Sequence, residues 1–501
     1  MTDTTPDTTA GATPGGGAPG LPAGILLAGL ATLATALFYD APLGIALPAF
    51  LVPLCAGSLL LNPPAEGIKR RVTAGAALAA VLALLINAVT PLSLLLTFPT
   101  VAASLLHLTG RWPPRLEDRA RSLGAMLGLG PWRLARDGMA AWLWWSGRTS
   151  RQAVAATIAR WVLPLGLGLI FCLLFATANP VLGLWAGRLP LAFLGDIDAG
   201  RVVFWMGTLA LLWPFVRIIG AGQHDAPPEP MAAKEKSDDP VLALLLSPQT
   251  LVRALALFNG LFALQSALDL YYLWTGHQPP EGVTHAAYAH QGAYPLVLTA
   301  LLAALFVLVA LERPGVTGTV RRLIVAWIAQ NILLVLSAML RLAAYVEAYS
   351  LTGLRVAAFL WMALVAMGLA LILARMALSR SNRWLVGANL VAAATLLYGA
   401  AWVNIPALIA GYNVTHSRQA AGNGPDLDWA YLARLGPQAI PALDRYTVLP
   451  DSPGQAVLDA RRKLAERFLA RHADWRSWTV RDQNLRDYLA AHPDGIDHEG
   501  Q

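Results

Sequence analysis

Residues Lys69 to Val89 read KRRVTAGAALAAVLALLINAV, three cations followed by eighteen uncharged and mostly apolar residues. About 20 apolar residues in a helix are enough to cross the roughly 30 Å hydrocarbon core of a bilayer. Lys and Arg beside such a segment are typical of its cytoplasmic end. The stretch therefore predicts a membrane-spanning helix that begins at the cytoplasmic surface, and similar stretches recur along the chain.

The composition agrees with this interpretation, because 56% of the 501 residues are hydrophobic and only 13% are charged. An ordinary soluble domain is excluded by these values. We predict an all-α, polytopic transmembrane bundle of eleven spans. They are Leu21 to Phe38, Ala41 to Leu61, Val72 to Val89, Leu92 to Leu108, Trp161 to Ala178, Val202 to Ile219, Leu255 to Trp274, Tyr294 to Leu311, Leu323 to Leu342, Val356 to Leu373 and Trp384 to Val403. The fourth contains Pro99 and is either a full span or a re-entrant segment.

Connections rich in Lys and Arg alternate with connections that have almost none. Five connections carry three, nine, four, three and three of them, and the alternate connections hold only Arg188, Arg201, Arg341 and Arg355. Because the basic side of a membrane protein is cytoplasmic, we expect the N-terminus inside and the C-terminus outside.

The chain divides into five parts by composition. We expect a disordered cytoplasmic segment at 1–20, a front transmembrane half at 21–220, a cytoplasmic linker at 221–250, a rear transmembrane half at 251–403 and an extracytoplasmic helical tail at 404–501. The front half contains a cytoplasmic loop rich in Arg and Trp at 109–160, which suits a helix at the lipid headgroups. In the tail, Leu427, Tyr431, Leu432 and Leu435 indicate one amphipathic helix, and Val457, Leu464, Phe468 and Leu469 a second.

Polar residues in and beside the spans gather in the rear half. Ionisable groups in hydrocarbon are costly unless they are paired or hydrated, so these positions are candidates for a function. The candidate polar cluster consists of Gln265, Asp269, Gln330, Asn331, Arg341, Glu347 and Arg355. A pair between Asp269 and Arg341 would explain both charges. The cluster either holds helices together or lines the path of a solute or proton.

A connection after the seventh span carries histidines and no Lys or Arg. This candidate outer loop contains Glu281, His285, Tyr288, His290 and Tyr294. Together with His277, the connection has three histidines and one carboxylate, which are ligand types for zinc. Their spacing does not match a paired-ligand zinc signature. We therefore favour a structured loop with interfacial aromatic residues, and we predict neither a metal nor a cofactor.

Motifs of soluble enzymes are missing from the sequence. It contains no Walker-type phosphate loop, no dinucleotide fingerprint and no nucleophile elbow. Cys55 and Cys172 both lie within spans, where buried thiols behave as small apolar groups. We expect no catalytic residue. The predicted partners are the lipid bilayer and either a small-molecule solute or a membrane signalling protein, but no nucleic acid.

Several segments resemble one family of bacterial multi-pass membrane proteins. They are FALQSALDLYYLW (262–274), EGVTHAAYAHQGAYPL (281–296), IAQN (328–331), LRLAAYVEAYSLTGLRVAAFLWM (340–362) and DLDWAYLARLGPQAIPAL (426–443), with ATANP (176–180) and RVVFW (201–205) in the same order. The family is catalogued as domain of unknown function four-one-seven-three. The resemblance implies a bacterial plasma-membrane protein and brings no reaction, substrate or catalytic residue.

Three functional hypotheses follow from these observations. The first is a transport or permease-like role that uses the polar cluster of the rear half. The second is a membrane sensor or scaffold that couples the outer loop and the tail to a cytoplasmic partner. A membrane-embedded enzyme is the third hypothesis. It ranks last because no acid, base or nucleophile stands out in the sequence.

Overall fold

The computed structural model describes residues 21–128, 130–135, 137–138, 199–218, scattered positions between 252 and 271, 318–493 and 495. Within these ranges the chain forms helices and connecting segments and no strand. The helices are α1 (Leu21–Phe38), α2 (Ala46–Leu61), α3 (Ile68–Asn87), α4 (Pro91–Leu108), α5 (Leu116–Gly128), α6 (Ala199–Val216), α7 (Gly318–Tyr349), α8 (Gly353–Ala377), α9 (Asn382–Trp402), α10 (Ile405–Thr415), α11 (Arg418–Ala421), α12 (Trp429–Arg434), α13 (Ile440–Thr447), α14 (Gly454–Arg471) and α15 (Val480–Ala491). Two 3-10 turns, Pro437–Ala439 and Trp475–Ser477, connect helices of the tail.

Six of the described helices are long and apolar enough to cross a membrane, namely α1, α3, α4, α7, α8 and α9. α2 and the Gly200–Val216 part of α6 are apolar but shorter. The all-helical class and a set of membrane-spanning candidates are thus confirmed, while the count of eleven stays a prediction. The expected spans at 161–178 and 294–311 lie outside the described residues, and the span at 255–274 is described only at scattered positions.

The chain divides into two units. The first comprises 1–41, 46–78 and 98–224, and the second comprises 42–45, 79–97 and 225–501. In the first unit α1 packs against α2 and α6. The buried residues of α1, Leu27, Leu30, Ala31 and Ala34, recur every three to four positions and so lie on one face. Phe38 and Phe50 add an edge-to-face ring contact with centroids 5.3 Å apart.

In the second unit α7, α8 and α9 follow one another through short connections. Thr352 caps the start of α8 and Ser381 caps the start of α9, since each hydroxyl accepts a hydrogen bond from the backbone N–H three residues later. The buried core between the helices contains Trp327, Ile328 and Met362. The opposite faces carry exposed apolar side chains, among them Leu354, Trp361, Leu390 and Val391. Such wide apolar surfaces are typical of helices surrounded by lipid.

The tail folds into short helices around two cores. One core contains Leu432, Leu443, Tyr446 and Val457, and the other contains Ile440, Phe468, Leu485 and Leu489. The second amphipathic pattern of the sequence falls on α14, whereas the first has Tyr431 and Leu432 on α12 and Leu427 and Leu435 just outside its ends. Leu469 is an exception, because its side chain is exposed on α14. Helices α10, α13 and α15 lie outside these two patterns.

Candidate functional site

Two members of the polar cluster lie side by side on α7. Asn331 is fully buried, and its Nδ2 donates a hydrogen bond to the carbonyl oxygen of Trp327 at 2.8 Å. Within the described part of the chain, neither Oδ1 of Asn331 nor the buried Oε1 of Gln330 has a hydrogen-bond partner. Burying a polar atom costs about 1–3 kcal/mol unless the atom finds a partner, so these two oxygens mark a position in the helix where a hydrogen-bond donor would be stabilising.

Polar atoms of the segment before α7 extend this group. Nδ2 of Asn259 donates to the carbonyl oxygens of Leu255 and Leu323 at 2.7 and 3.1 Å, which ties the segment to the start of α7. Among the described atoms, Oδ1 of Asn259 and Oγ of Ser266 are also buried without a partner. In both asparagines the amide hydrogens satisfy backbone carbonyls, so that the side-chain oxygen is left to accept a proton donor or bind a cation.

Glu347 and Arg355 lie elsewhere, at the turn between α7 and α8. The Arg355 guanidinium donates to the carbonyl oxygens of Tyr349, at 2.6 Å, and Ser350. It also lies over the ring of Tyr345, 4.5 Å from the centroid. Carbonyl groups at a helix C-terminus lack partners within the helix, so Arg355 satisfies those at the end of α7. The expected cluster is therefore divided between this turn and the interior of α7, where Arg341 is buried.

Other predicted positions cannot be placed in this arrangement. Gln265 and Asp269 lie outside the described residues, and with them the pair between Asp269 and Arg341. Every residue of the candidate outer loop, from Glu281 through His285, Tyr288 and His290 to Tyr294, also lies outside them. These assignments stay predictions.

The sequence reasoning missed a contact between the tail and the turn that follows α7. Asn413 of α10 is buried and forms two hydrogen bonds with the backbone of Leu351. Its Oδ1 accepts from Leu351 N at 2.7 Å, and its Nδ2 donates to Leu351 O at 2.9 Å. The hydroxyl oxygen of Tyr431 accepts from Gly353 N at 3.2 Å. We call these four residues the α7–α8 joint.

Apolar packing and one carboxylate surround the joint. Val346, Leu351 and Ile409 form a buried cluster against which Tyr412 and Tyr431 pack. Burial raises the pKa of the Tyr412 phenol, and the negative charge of Glu347 raises it further. Tyr412 therefore stays neutral.

Asn404 and Pro406 are the residues from which the start of α10 could have been predicted, since Asn is a preferred N-cap and Pro a preferred first-turn residue.

A buried ion pair lies in the core of the tail. Nε of Arg461 donates to Oδ1 of Asp444 at 3.0 Å, and both side chains are almost fully buried. The Tyr488 hydroxyl donates to Oδ2 of Asp444 at 3.0 Å. Arg461 also donates to the carbonyl oxygens of Pro493, at 2.6 Å, and His492. The polar atoms of the pair are thus satisfied by α13, α14, α15 and the segment after α15.

The first unit has a polar group of its own at the C-terminal end of α6. Asn62 donates to the Val216 carbonyl oxygen at 3.0 Å and accepts from the Arg111 guanidinium at 2.9 Å. Arg111 also donates to the carbonyl oxygen of Ile218, and the Ser58 hydroxyl donates to that of Phe215. These side chains satisfy the carbonyl groups at the end of a helix. The sequence showed Arg111 only as a cation of the basic loop.

The described helices have the length and composition of an integral membrane protein. The chain belongs to the family described as Domain of unknown function (DUF4153), whose model matches residues 24–446. The family number four-one-seven-three, expected from the sequence, was wrong. The match also begins at residue 24, so it includes residues 24–108, which the quoted segments do not reach. No curated protein and no solved structure matches the chain.

Proposed function

We propose that this membrane protein is a sensor or scaffold in which the tail is coupled to the membrane helices through the α7–α8 joint. The paired hydrogen bonds between Asn413 and Leu351 carry the proposal, because they fix a helix of the tail to the backbone between two spans. A change in the tail then alters the ends of α7 and α8. A packed element with two discrete arrangements can transmit such a change.

The proposed setting is the bacterial inner membrane, with the N-terminus cytoplasmic and the tail outside. The alternation of basic connections supports this orientation. Ile45 N, in the turn before α2, donates to Trp478 O of the tail at 2.8 Å. That contact agrees with the orientation, in which the turn before α2 and the tail share one side of the membrane. The unknown partner would bind the basic loop at 109–160 from the other side.

The test is hydrogen exchange on the full chain in lipid nanodiscs with Asn413→Ala. Thr415→Ala is the matched control, because among the described residues the Thr415 hydroxyl bonds only within and beside its own helix α10. Coupling predicts faster exchange at 349–353 and also along α7 between Gln330 and Arg341. Exchange that rises only at the joint, with α7 unchanged, would show a local contact without coupling and contradict the proposal.

A transport role is the second candidate, and a different observation favours it. The four buried oxygens of Asn259, Ser266, Gln330 and Asn331 lie in the membrane-spanning half without hydrogen-bond partners among the described atoms. Polar atoms at membrane depth are frequent in the paths of ions and protons. In proteoliposomes with an internal pH dye, a proton path predicts a flux that Asn331→Leu abolishes and Gln419→Ala, in the tail, preserves. Equal flux in both variants would remove this site.

A further inference from the structure

Large apolar side chains remain exposed where the tail adjoins the end of α9. Trp402 and Val403 are each 43% exposed, Leu408 is 48% exposed, Trp475 is 64% exposed and Val480 is 37% exposed. We call these five residues the interfacial patch. The tail buries most of its other large apolar residues in the two cores described above, so this concentration is unusual for it.

A side-chain hydrogen bond connects the two parts of the interfacial patch. Nη2 of Arg481, the residue after Val480, donates to the Trp402 carbonyl oxygen in the last turn of α9 at 3.1 Å. Trp475 precedes this contact by one short turn, Trp475–Ser477. The same turn touches Gly44, where a Cβ atom would lie 2.2 Å from the carbonyl carbon of Ser477. The turn is therefore held at the membrane end of the tail.

The position of the patch identifies what covers it. α9 is a candidate span that ends at Trp402, so the bilayer surface lies at the height of this residue. Tryptophan is enriched at that depth because its indole combines an apolar body with an N–H donor. The neighbouring cations are already engaged, Arg481 with Trp402 O and Arg476 with Asp474. Apolar insertion, and not attraction to charged headgroups, is then the main interaction.

We propose that the interfacial patch binds the headgroup region of the leaflet in which α9 ends. Trp475 and Val480 enter the boundary between headgroups and acyl chains, and the tail lies against the bilayer. The tail is thereby oriented by the lipid as well as by the α7–α8 joint. This inference does not depend on the proposed coupling, since a tail without coupling could still rest on lipid.

Spin-label accessibility in phosphatidylcholine nanodiscs tests the proposal. The full chain with Cys55→Ala and Cys172→Ala receives one cysteine, either Trp475→Cys or Val480→Cys. Glu466→Cys on the exposed side of α14 is the control. Oxygen concentrates in lipid and a nickel chelate stays in water. We expect labels at 475 and 480 to collide more with oxygen and less with the chelate than the label at 466.

Two results would overturn the proposal. If the labels at 475 and 480 collide with the chelate as often as the label at 466, the patch faces water. If both reagents are excluded, a protein covers the patch. Trp475→Phe provides a control for folding. If the spectrum of the label at 466 is the same with and without this substitution, the tail keeps its fold when Trp475 is replaced. Val480→Cys provides a second site if Trp475→Cys disturbs the turn.

Discussion

At the scale of single residues, the Asp444–Arg461 pair is an ion pair of the tail with both side chains almost fully buried. We predict that Asp444→Ala destabilises the tail by about 3–5 kcal/mol, because it leaves the buried Arg461 charge without its partner. Hydrogen exchange of α13, α14 and α15 in the full chain measures this change in opening free energy.

Asp487 is the matched control for this substitution, since it lies on the same tail but is exposed on α15. Asp487→Asn should change the opening free energy by no more than about 0.5 kcal/mol. A tail that tolerates Asp444→Ala as well as it tolerates Asp487→Asn would show that the ion pair is not needed for stability.

His472 gives the tail a dependence on pH. Burial lowers the pKa of His472 below its usual value of 6.5, as do Arg486 and Arg471, while Asp482 and the Ser477 backbone oppose the shift. The unfolded tail then binds a proton that the folded tail binds less readily. Stability therefore falls as the pH drops through 6.5 toward the folded-state pKa, and does not fall further below it.

We predict that His472→Gln removes this part of the pH dependence. Thermal unfolding of the tail, followed by proteolysis between about pH 8 and pH 5, is the measurement. His416 is exposed on the tail surface, so His416→Gln serves as the comparison and should leave the pH profile unchanged. An identical loss of stability at low pH in the parent chain and in His472→Gln would contradict the assignment.

At the scale of elements, Gly44 permits the close approach of the turn before α2 to the tail. A side chain there would collide with the Ser477 backbone, and backbone cannot move aside as a flexible side chain does. We predict that Gly44→Ala destabilises this contact by about 1–3 kcal/mol and speeds hydrogen exchange at Ser477 to Val480.

The control for this element is Gly29→Ala in α1, where an added Cβ would have no atom of another described segment within 4 Å. Alanine favours a helix by roughly 1 kcal/mol over glycine, so this variant should be neutral or slightly stabilising. Unchanged exchange at Ser477 to Val480 in Gly44→Ala would show that the approach of the two segments is not obligatory.

The hydropathy of the sequence predicts the membrane helices well because a bilayer imposes one length and one composition on them. The expected first and fourth spans differ from α1 and α4 by at most one residue at either end. α7 extends beyond its expected span at both ends, and its last two turns carry Tyr345 and Tyr349, which contact Arg355 of α8. Polar residues at the ends of a helix lengthen the helix, but they do not lengthen the apolar segment that hydropathy detects.

The tail was harder to predict, since its helices are short and are stabilised by contacts between residues far apart in sequence. Asn413 illustrates the difficulty, because its partner Leu351 is 62 residues away and neither residue type signals the pairing. Glu347 and Arg355 were grouped with Gln330 because all three are polar residues of the rear half. Glu347 lies 17 residues after Gln330 on α7, which is about 25 Å along the helix axis, and Arg355 lies in α8.

At the scale of the whole molecule, some sites are assigned from contacts between described residues and others from the sequence alone. The α7–α8 joint and the Asp444–Arg461 pair follow from contacts between described residues. The polar cluster and the outer loop still depend on the sequence for Gln265, Asp269 and the histidines. Family membership identifies no reaction, so the proposed coupling rests on the joint alone.

The central claim is that apolar helices cross the bilayer with the basic connections on one side and the tail on the other. Labelling with a membrane-impermeant maleimide tests it most directly, on chains that carry Arg121→Cys or Glu466→Cys with Cys55 and Cys172 replaced by alanine. In intact cells we expect Glu466→Cys to react and Arg121→Cys to react only after the membrane is opened. Reaction of both positions from the same side would contradict the account.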